Sequence, residues 1–134
     1  MSGRVLCVDY GTKRIGLAVS DPLGATAQPL AVVADVDEVV EQARDLGVSE
    51  IIVGLPLRTT GESGPEAEAA RAFARDLEEA SGIGVQLWDE RLSSVEAERV
   101  MAAQGVRARD RRGSVDKVAA AIVLQSFLDS RRRP

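Results

Sequence analysis

Apolar residues open the chain in two short runs, Val5–Tyr10 and Ile15–Ser20, joined by the turn-rich link Gly11-Thr12-Lys13-Arg14, and this spacing predicts a β-hairpin. A third run, Ala27–Val33, follows the breaker stretch Asp21-Pro22-Leu23-Gly24. Asp35-Val36-Asp37-Glu38 reads as a helix start, with an acidic cap and a glutamate three residues on. Val36, Val39, Val40, Ala43 and Leu46 give that helix its apolar face, and Gly47 its C-cap. Ile51-Ile52-Val53-Gly54 is a fully apolar strand of the kind buried in parallel sheets. Ser63-Gly64-Pro65-Glu66 opens a second helix that runs to about Ala80, and Val85–Trp88 is a further strand. Ser93-Ser94-Val95-Glu96 caps a helix reaching about Gln104. The basic loop Gly105–Gly113 then leads to a last helix, from about Ser114 to Leu128, with a basic tail from about residue 129.

The order β-β-β-α-β-α-β-α-α predicts an α/β fold with a mixed five-stranded sheet covered by helices, not an all-parallel doubly wound one. Residues 1–134 read as a single domain, long enough to bury a sizeable core without metal or disulfide support. Leu57–Gly64 and Gly105–Gly113, rich in Gly and polar residues, read as the mobile stretches.

Composition narrows the chemistry. The chain has no histidine, which excludes His-based triads, His–metal sites and a His general base. Its one cysteine, Cys7, excludes a disulfide framework and a Cys-rich zinc site, and reads as a core residue. No apolar run approaches the roughly 18–20 residues that span a bilayer, and Arg4-Val5-Leu6-Cys7-Val8-Asp9 carries no signal-peptide pattern. The expectation is a cytoplasmic protein without a membrane partner. The net charge of −4 is unevenly spread: residues 1–104 carry −9 and residues 105–134 carry +5. A basic end of this kind can grip phosphates, although Arg131-Arg132-Arg133 reads equally well as a solubilising tail. Four aromatic residues are too few for a stacking platform that binds single strands, and Tyr10 and Trp88 read as core.

Three acids stand at the ends of elements. Asp9 closes a run that reads as a central strand, where a carboxylate is costly unless paired, hydrogen-bonded or metal-bound. Ligand crevices of α/β sheets lie beyond the carboxyl ends of strands, as Asp9 does; the plainer role is to hydrogen-bond the amides of the Gly11-Thr12 turn. Asp89-Glu90-Arg91 ends the strand Val85–Trp88, and only one of its two acids can share a face with Asp9. Alternation does not choose between them, and Asp89 with Arg91 can equally form a solvated rim. Asp116 lies in the first turn of the last helix, where the macrodipole alone accommodates an acid; the small residues Ala119-Ala120-Ala121 let that helix approach the sheet. Together the three acids are the minimum for a carboxylate-held Mg²⁺ or Mn²⁺, which supports in-line phosphoryl displacement by water. Lys13 and Arg14 adjoin this place and can contact phosphate or form a plain exposed turn, and Arg91 can orient a phosphate through its fork or pair with Asp89. Arg107, Arg109, Arg111 and Arg112 in the basic loop can hold a substrate backbone. Gly11, Gly16 and Gly54 read as residues of backbone geometry.

The stretch Asp9-Tyr10-Gly11-Thr12-Lys13-Arg14-Ile15-Gly16-Leu17-Ala18-Val19-Ser20-Asp21 resembles the opening signature of the YqgF/RuvX family of Holliday-junction-resolvase-like, pre-16S rRNA nucleases. Val53-Gly54-Leu55-Pro56-Leu57, Asp89-Glu90-Arg91-Leu92-Ser93 and Val115-Asp116-Lys117-Val118-Ala119-Ala120 resemble its later blocks, in the same order. The resemblance spans essentially the whole chain, and Ser93 stands where threonine is common. It implies an RNase H-like fold and a three-acid site on Asp9, Glu90 and Asp116, and it is this likeness that favours Glu90 over Asp89. No fourth acid is identified. The implied activity is that of a hydrolase, a divalent-metal-dependent nuclease in maturation of the 16S rRNA precursor and ribosome biogenesis. The implied partner is precursor rRNA, in pre-ribosomal particles, with a monomer or a weak dimer both open. Resolution of branched DNA by the same site is the alternative, as is a non-catalytic nucleic-acid or ribosome-associated module of this fold. Asp-x-Gly-Thr also occurs in actin-like phosphotransferases, but those need two such domains around a nucleotide.

Overall fold

A strand that is apolar on both faces belongs inside a sheet, and β1 (Val5–Tyr10) lies there, with Val5, Leu6, Cys7 and Val8 all buried. The structure, a computed structural model, describes residues 3–11, 13–92, 99, 102–103 and 115–132. β2 (Ile15–Ser20) pairs antiparallel with β1, and β3 (Ala27–Val33) antiparallel with β2. β4 (Glu50–Leu55) and β5 (Val85–Asp89) add in parallel on the other side, so the strand order is β3-β2-β1-β4-β5. This is the mixed five-stranded sheet that the element order predicts.

Parallel neighbours need a crossover. α1 (Val36–Leu46) carries the chain from β3 to β4, and α2 (Pro65–Ser81) carries it from β4 to β5. Both lie on one face of the sheet, where Leu6, Val8, Leu17 and Ile51 meet Val39, Ala43, Ala70 and Leu77. α3 (Val115–Arg132) covers the other face, where its Ala120, Ala121 and Leu124 pack with Val5, Cys7, Ala18 and Ile52. The start of α1 is capped as its sequence predicts. Asp35 accepts the Glu38 N–H at 3.0 Å, Glu38 in turn accepts the Ala34 N–H at 3.1 Å, and Gly47 ends the helix at φ 61°.

β3 is an edge strand, which suits Pro29, a residue with no N–H to give a ladder. α3 holds that edge through buried Gln125, whose Oε1 accepts the Ala27 N–H at 2.9 Å. Gln125 Nε2 donates to the Ala25 carbonyl at 3.2 Å and to Asp129 Oδ1 at 3.0 Å.

The end of the chain departs from the sequence reading. α3 does not stop near Leu128 but continues to Arg132, so the basic residues from 129 to 132 are helical. In this last turn Arg131 donates to Glu50 Oε2 at 2.9 Å and lies 4.4 Å above the Phe127 ring, which ties the turn to the sheet. The helix predicted from Ser93 to Gln104 and the loop Gly105–Gly113 lie outside the described residues, apart from Arg99, Ala102 and Ala103, which are helical. Among the described residues, no helix is long and apolar enough to cross a membrane.

Replacing Gln125 with Leu leaves the Ala27 N–H and the Ala25 carbonyl without their α3 partners. The expected cost is about 1–3 kcal/mol, measured as a lower urea midpoint with an unchanged m-value.

Candidate active site

Side chains alternate along a strand, and the α3 side of β1 carries Val5 and Cys7 and so, next, Asp9. The same side of β4 carries Ile52 and then Gly54, and that of β5 carries Trp88, the register partner of Gly54. Asp9 and Gly54 therefore stand at the carboxyl ends of neighbouring parallel strands, on the face that α3 covers. Asp89 pairs in register with Leu55, a residue of the opposite core, so alternation turns it towards the α2 side. The choice that alternation left open in the sequence is settled by which face the last helix takes.

Glu90 is the first residue of a 3₁₀ turn, Glu90–Leu92, that follows β5 directly. The turn lays its carboxyl over Gly54, where a Cβ would stand 2.5 Å from Glu90 Oε2 and 3.1 Å from its Cδ and Cγ. The φ of Gly54 is not positive, so the sequence reading of this glycine as a backbone-conformation residue is corrected: it provides space. The signal was present, since a glycine inside an apolar strand marks close approach of another group, but the group itself could not be named.

Glu90 is hydrogen-bonded to Asp9, and its carboxyl is pushed up to about 7. Burial is the largest cause, followed by the Asp9 charge, the Asp9 hydrogen bond and the Asp89 charge. Two carboxyl groups can share a hydrogen bond only if one is protonated, and the raised value assigns that proton to Glu90. Beneath them the buried Cys7 thiol is also pushed up, by burial first and then by the charges of Asp9 and Glu90. Asp9 and Glu90 are thus brought together. Asp116 is the second residue of α3, the helix that packs on this face, while its side chain lies outside the described residues. Among the described residues, no group of three His, Cys, Asp or Glu side chains could hold a metal ion.

The basic residues divide. Lys13 and Arg14 lie in the exposed turn after Asp9, closed by a 3.0 Å hydrogen bond from the Gly11 N–H to the Arg14 carbonyl. Arg91 is engaged by Asp89, with Nη2 donating to Oδ2 at 2.8 Å. Arg107, Arg109, Arg111 and Arg112 lie outside the described residues. Tyr10 and Trp88 are partly buried and pack against the two cores, Tyr10 stacked on Phe73 at 4.5 Å and Trp88 edge-on to Phe127 at 5.2 Å.

A family model described as RuvX, Holliday junction resolvase, matches residues 3–130. A protein of Anaeromyxobacter dehalogenans, named as a candidate pre-16S rRNA nuclease, is 50% identical over 96% of this chain and 98% of its own length. One of Pelotomaculum thermopropionicum with the same name is 46% identical over 98% of this chain and 90% of its own. Among solved structures, Thermus thermophilus RuvC in complex with a Holliday junction substrate superposes with a TM-score of 0.63 at 18% identity, over 96% of this chain and 95% of that one. At that identity the likeness establishes the fold, which is RNase H-like.

A carboxyl raised by folding binds its proton more tightly in the folded chain than in the unfolded one. Its stabilising contribution is full below the ordinary value of 4.5 and is lost as pH rises through about 7. Metal-free protein is therefore expected to lose stability from about pH 5 to about pH 8, measured by urea unfolding in EDTA. Glu90→Gln removes this slope because it has no proton to lose. Gly54→Ala weakens the slope because its methyl drives the Glu90 carboxyl away from Asp9.

Proposed function

The chain belongs to the RuvX family, and we propose that it is a divalent-metal-dependent nuclease that hydrolyses phosphodiester bonds in maturation of the 16S rRNA precursor. The observation that carries this reading is the Asp9–Glu90 carboxyl pair, gathered over Gly54 at the carboxyl ends of parallel strands. The pair suits a hard divalent cation. Both donors are carboxylate oxygens, the kind Mg²⁺ and Mn²⁺ take, and a cation in place of the shared proton relieves the repulsion that raises Glu90. Asp116 is the third ligand of this proposal. The last turn of α3 is tied to Glu50 at the start of β4, which leaves the first turn, with Asp116, for the other end of the sheet.

When bound, the cation supplies activation of water and charge neutralisation at the scissile phosphate. The residues of the chain do the rest. Asp9, Glu90 and Asp116 fix the cation, and Lys13 and Arg14 meet the substrate backbone beside Asp9. Arg107, Arg109, Arg111 and Arg112 of the basic segment hold it through phosphate contacts, and the work is done in the cytoplasm. RNA is favoured over branched DNA because the relatives named for rRNA share 46–50% of their sequence with this chain, against 18% for the DNA-bound RuvC.

The test is a cleavage assay on precursor rRNA ends and on four-way DNA junctions, with Mn²⁺, with Mg²⁺ and with EDTA. Metal-dependent cleavage of the rRNA is expected, lowered about 10²–10³-fold or more in Asp9→Asn and Glu90→Gln, the range for removing one key electrostatic group. Asp116→Asn should lose cleavage equally while its metal-free melting temperature stays at or above that of the wild type. An Asp116→Asn variant that is less stable but fully active removes that acid from the site. Preference for the junction favours a resolvase, and binding that persists in EDTA with no cleavage on adding Mn²⁺ favours a non-catalytic module.

A further inference from the structure

The two residues on either side of Glu90 are bound to each other. Asp89 Oδ1 accepts the Arg91 N–H at 2.9 Å, which closes the turn around Glu90. The Arg91 guanidinium folds onto the same carboxylate, Nε at 3.1 Å from both oxygens and Nη2 at 2.8 Å from Oδ2. Its remaining nitrogen, Nη1, donates to the Thr59 carbonyl at 3.3 Å. Thr59 belongs to the loop between β4 and α2, which leaves the sheet directly after Gly54 and Leu55. That loop is a preformed turn: the Arg58 N–H reaches the Glu62 carbonyl at 3.0 Å, and the Gly61 N–H reaches the Arg58 carbonyl at 2.8 Å. Gly61, at φ 92°, passes close beneath the guanidinium, so that a Cβ there would stand 3.7 Å from Nη1.

An ion pair this exposed, 41% for Arg91 and 21% for Asp89, contributes little to global stability. Its geometry is nevertheless specific, with a planar fork on one carboxylate and the spare nitrogen on a neighbouring loop. We infer that Asp89 and Arg91 are a positioning pair, which fixes the turn that aims Glu90 at Asp9 and pins the β4–α2 loop beside the site, and that Arg91 does not itself bind substrate phosphate. The inference rests on the nuclease reading of Asp9 and Glu90, and of the two roles open to Arg91, phosphate contact and pairing with Asp89, it takes the second.

The test compares wild type, Asp89→Ala, Arg91→Gln, Arg91→Lys and the Asp89→Ala/Arg91→Gln double variant, all as the full chain. Three quantities are measured: kcat and KM with Mn²⁺, the salt dependence of substrate binding, and the rate of trypsin cleavage after Arg58. Each single variant is expected to lower kcat about ten- to a hundredfold, the effect of a small misplacement of reacting groups, with KM and the salt slope unchanged. The double variant should be no worse than the poorer single one, and trypsin should cut after Arg58 faster in all of them. Arg91→Lys keeps the charge but lacks the fork, and should behave like Arg91→Gln.

The inference is overturned if Arg91→Gln raises KM and flattens the log–log salt slope by about 0.7–0.9, one phosphate contact, while Asp89→Ala binds as well as wild type or better. It is equally overturned if kcat and the trypsin rate do not move. Should the wild type cleave no nucleic acid, the nuclease reading fails, and the trypsin rates still decide whether the pair holds the loop.

Discussion

The structure turns on two carboxyl groups held against each other at the end of a buried sheet. Bringing Asp9 and Glu90 together costs free energy twice, through loss of water and through repulsion, and the proton that Glu90 retains to about 7 expresses both. The surroundings sustain that arrangement rather than relieve it. β1 is fixed by ladders on both sides, with Asp9 itself opposite Gly16. Gly54 leaves the space that the Glu90 carboxyl occupies, and the turn carrying Glu90 is closed by Asp89 and Arg91. A group that takes the place of the shared proton and carries more positive charge is the natural occupant of such a pair.

The rest of the fold serves that placement. Parallel pairing of β1, β4 and β5 brings three carboxyl ends to one edge of the sheet, and two crossover helices on one face leave the other to α3. Ala120 and Ala121 let α3 approach closely. Gln125 and Arg131 tie it at β3 and at the start of β4. α3, whose second residue is Asp116, is thereby anchored at points remote from the Asp9–Glu90 pair.

Much of this was legible in the sequence. The three leading strands, the Asp35 cap with its Gly47 end and the two crossover helices follow from local periodicity and capping, which act over a few residues. What failed was non-local. Arg131 reads as a tail residue until Glu50 and Phe127 are seen beside it. Gly54 reads as a conformational glycine until Glu90 is seen above it. The choice between Asp89 and Glu90 depended on which face α3 covers, a fact of packing that no alternation within β5 contains; in the structure it is Glu90 that meets Asp9. Pairing with Asp89 is one of the two roles the sequence leaves open for Arg91, and the structure shows it; only the Thr59 carbonyl, far away in sequence, lies beyond local reading.

The most direct test of the central claim is the proton count that accompanies metal binding. A cation that takes the Asp9–Glu90 pair must displace the proton held by Glu90. Calorimetric titration of Mn²⁺ at about pH 6, in buffers of different ionisation enthalpy, should therefore show release of about one proton per bound ion, and Glu90→Gln should abolish that release. Binding of Mn²⁺ without proton release, or binding that Asp9→Asn and Glu90→Gln leave unaltered, would contradict the account.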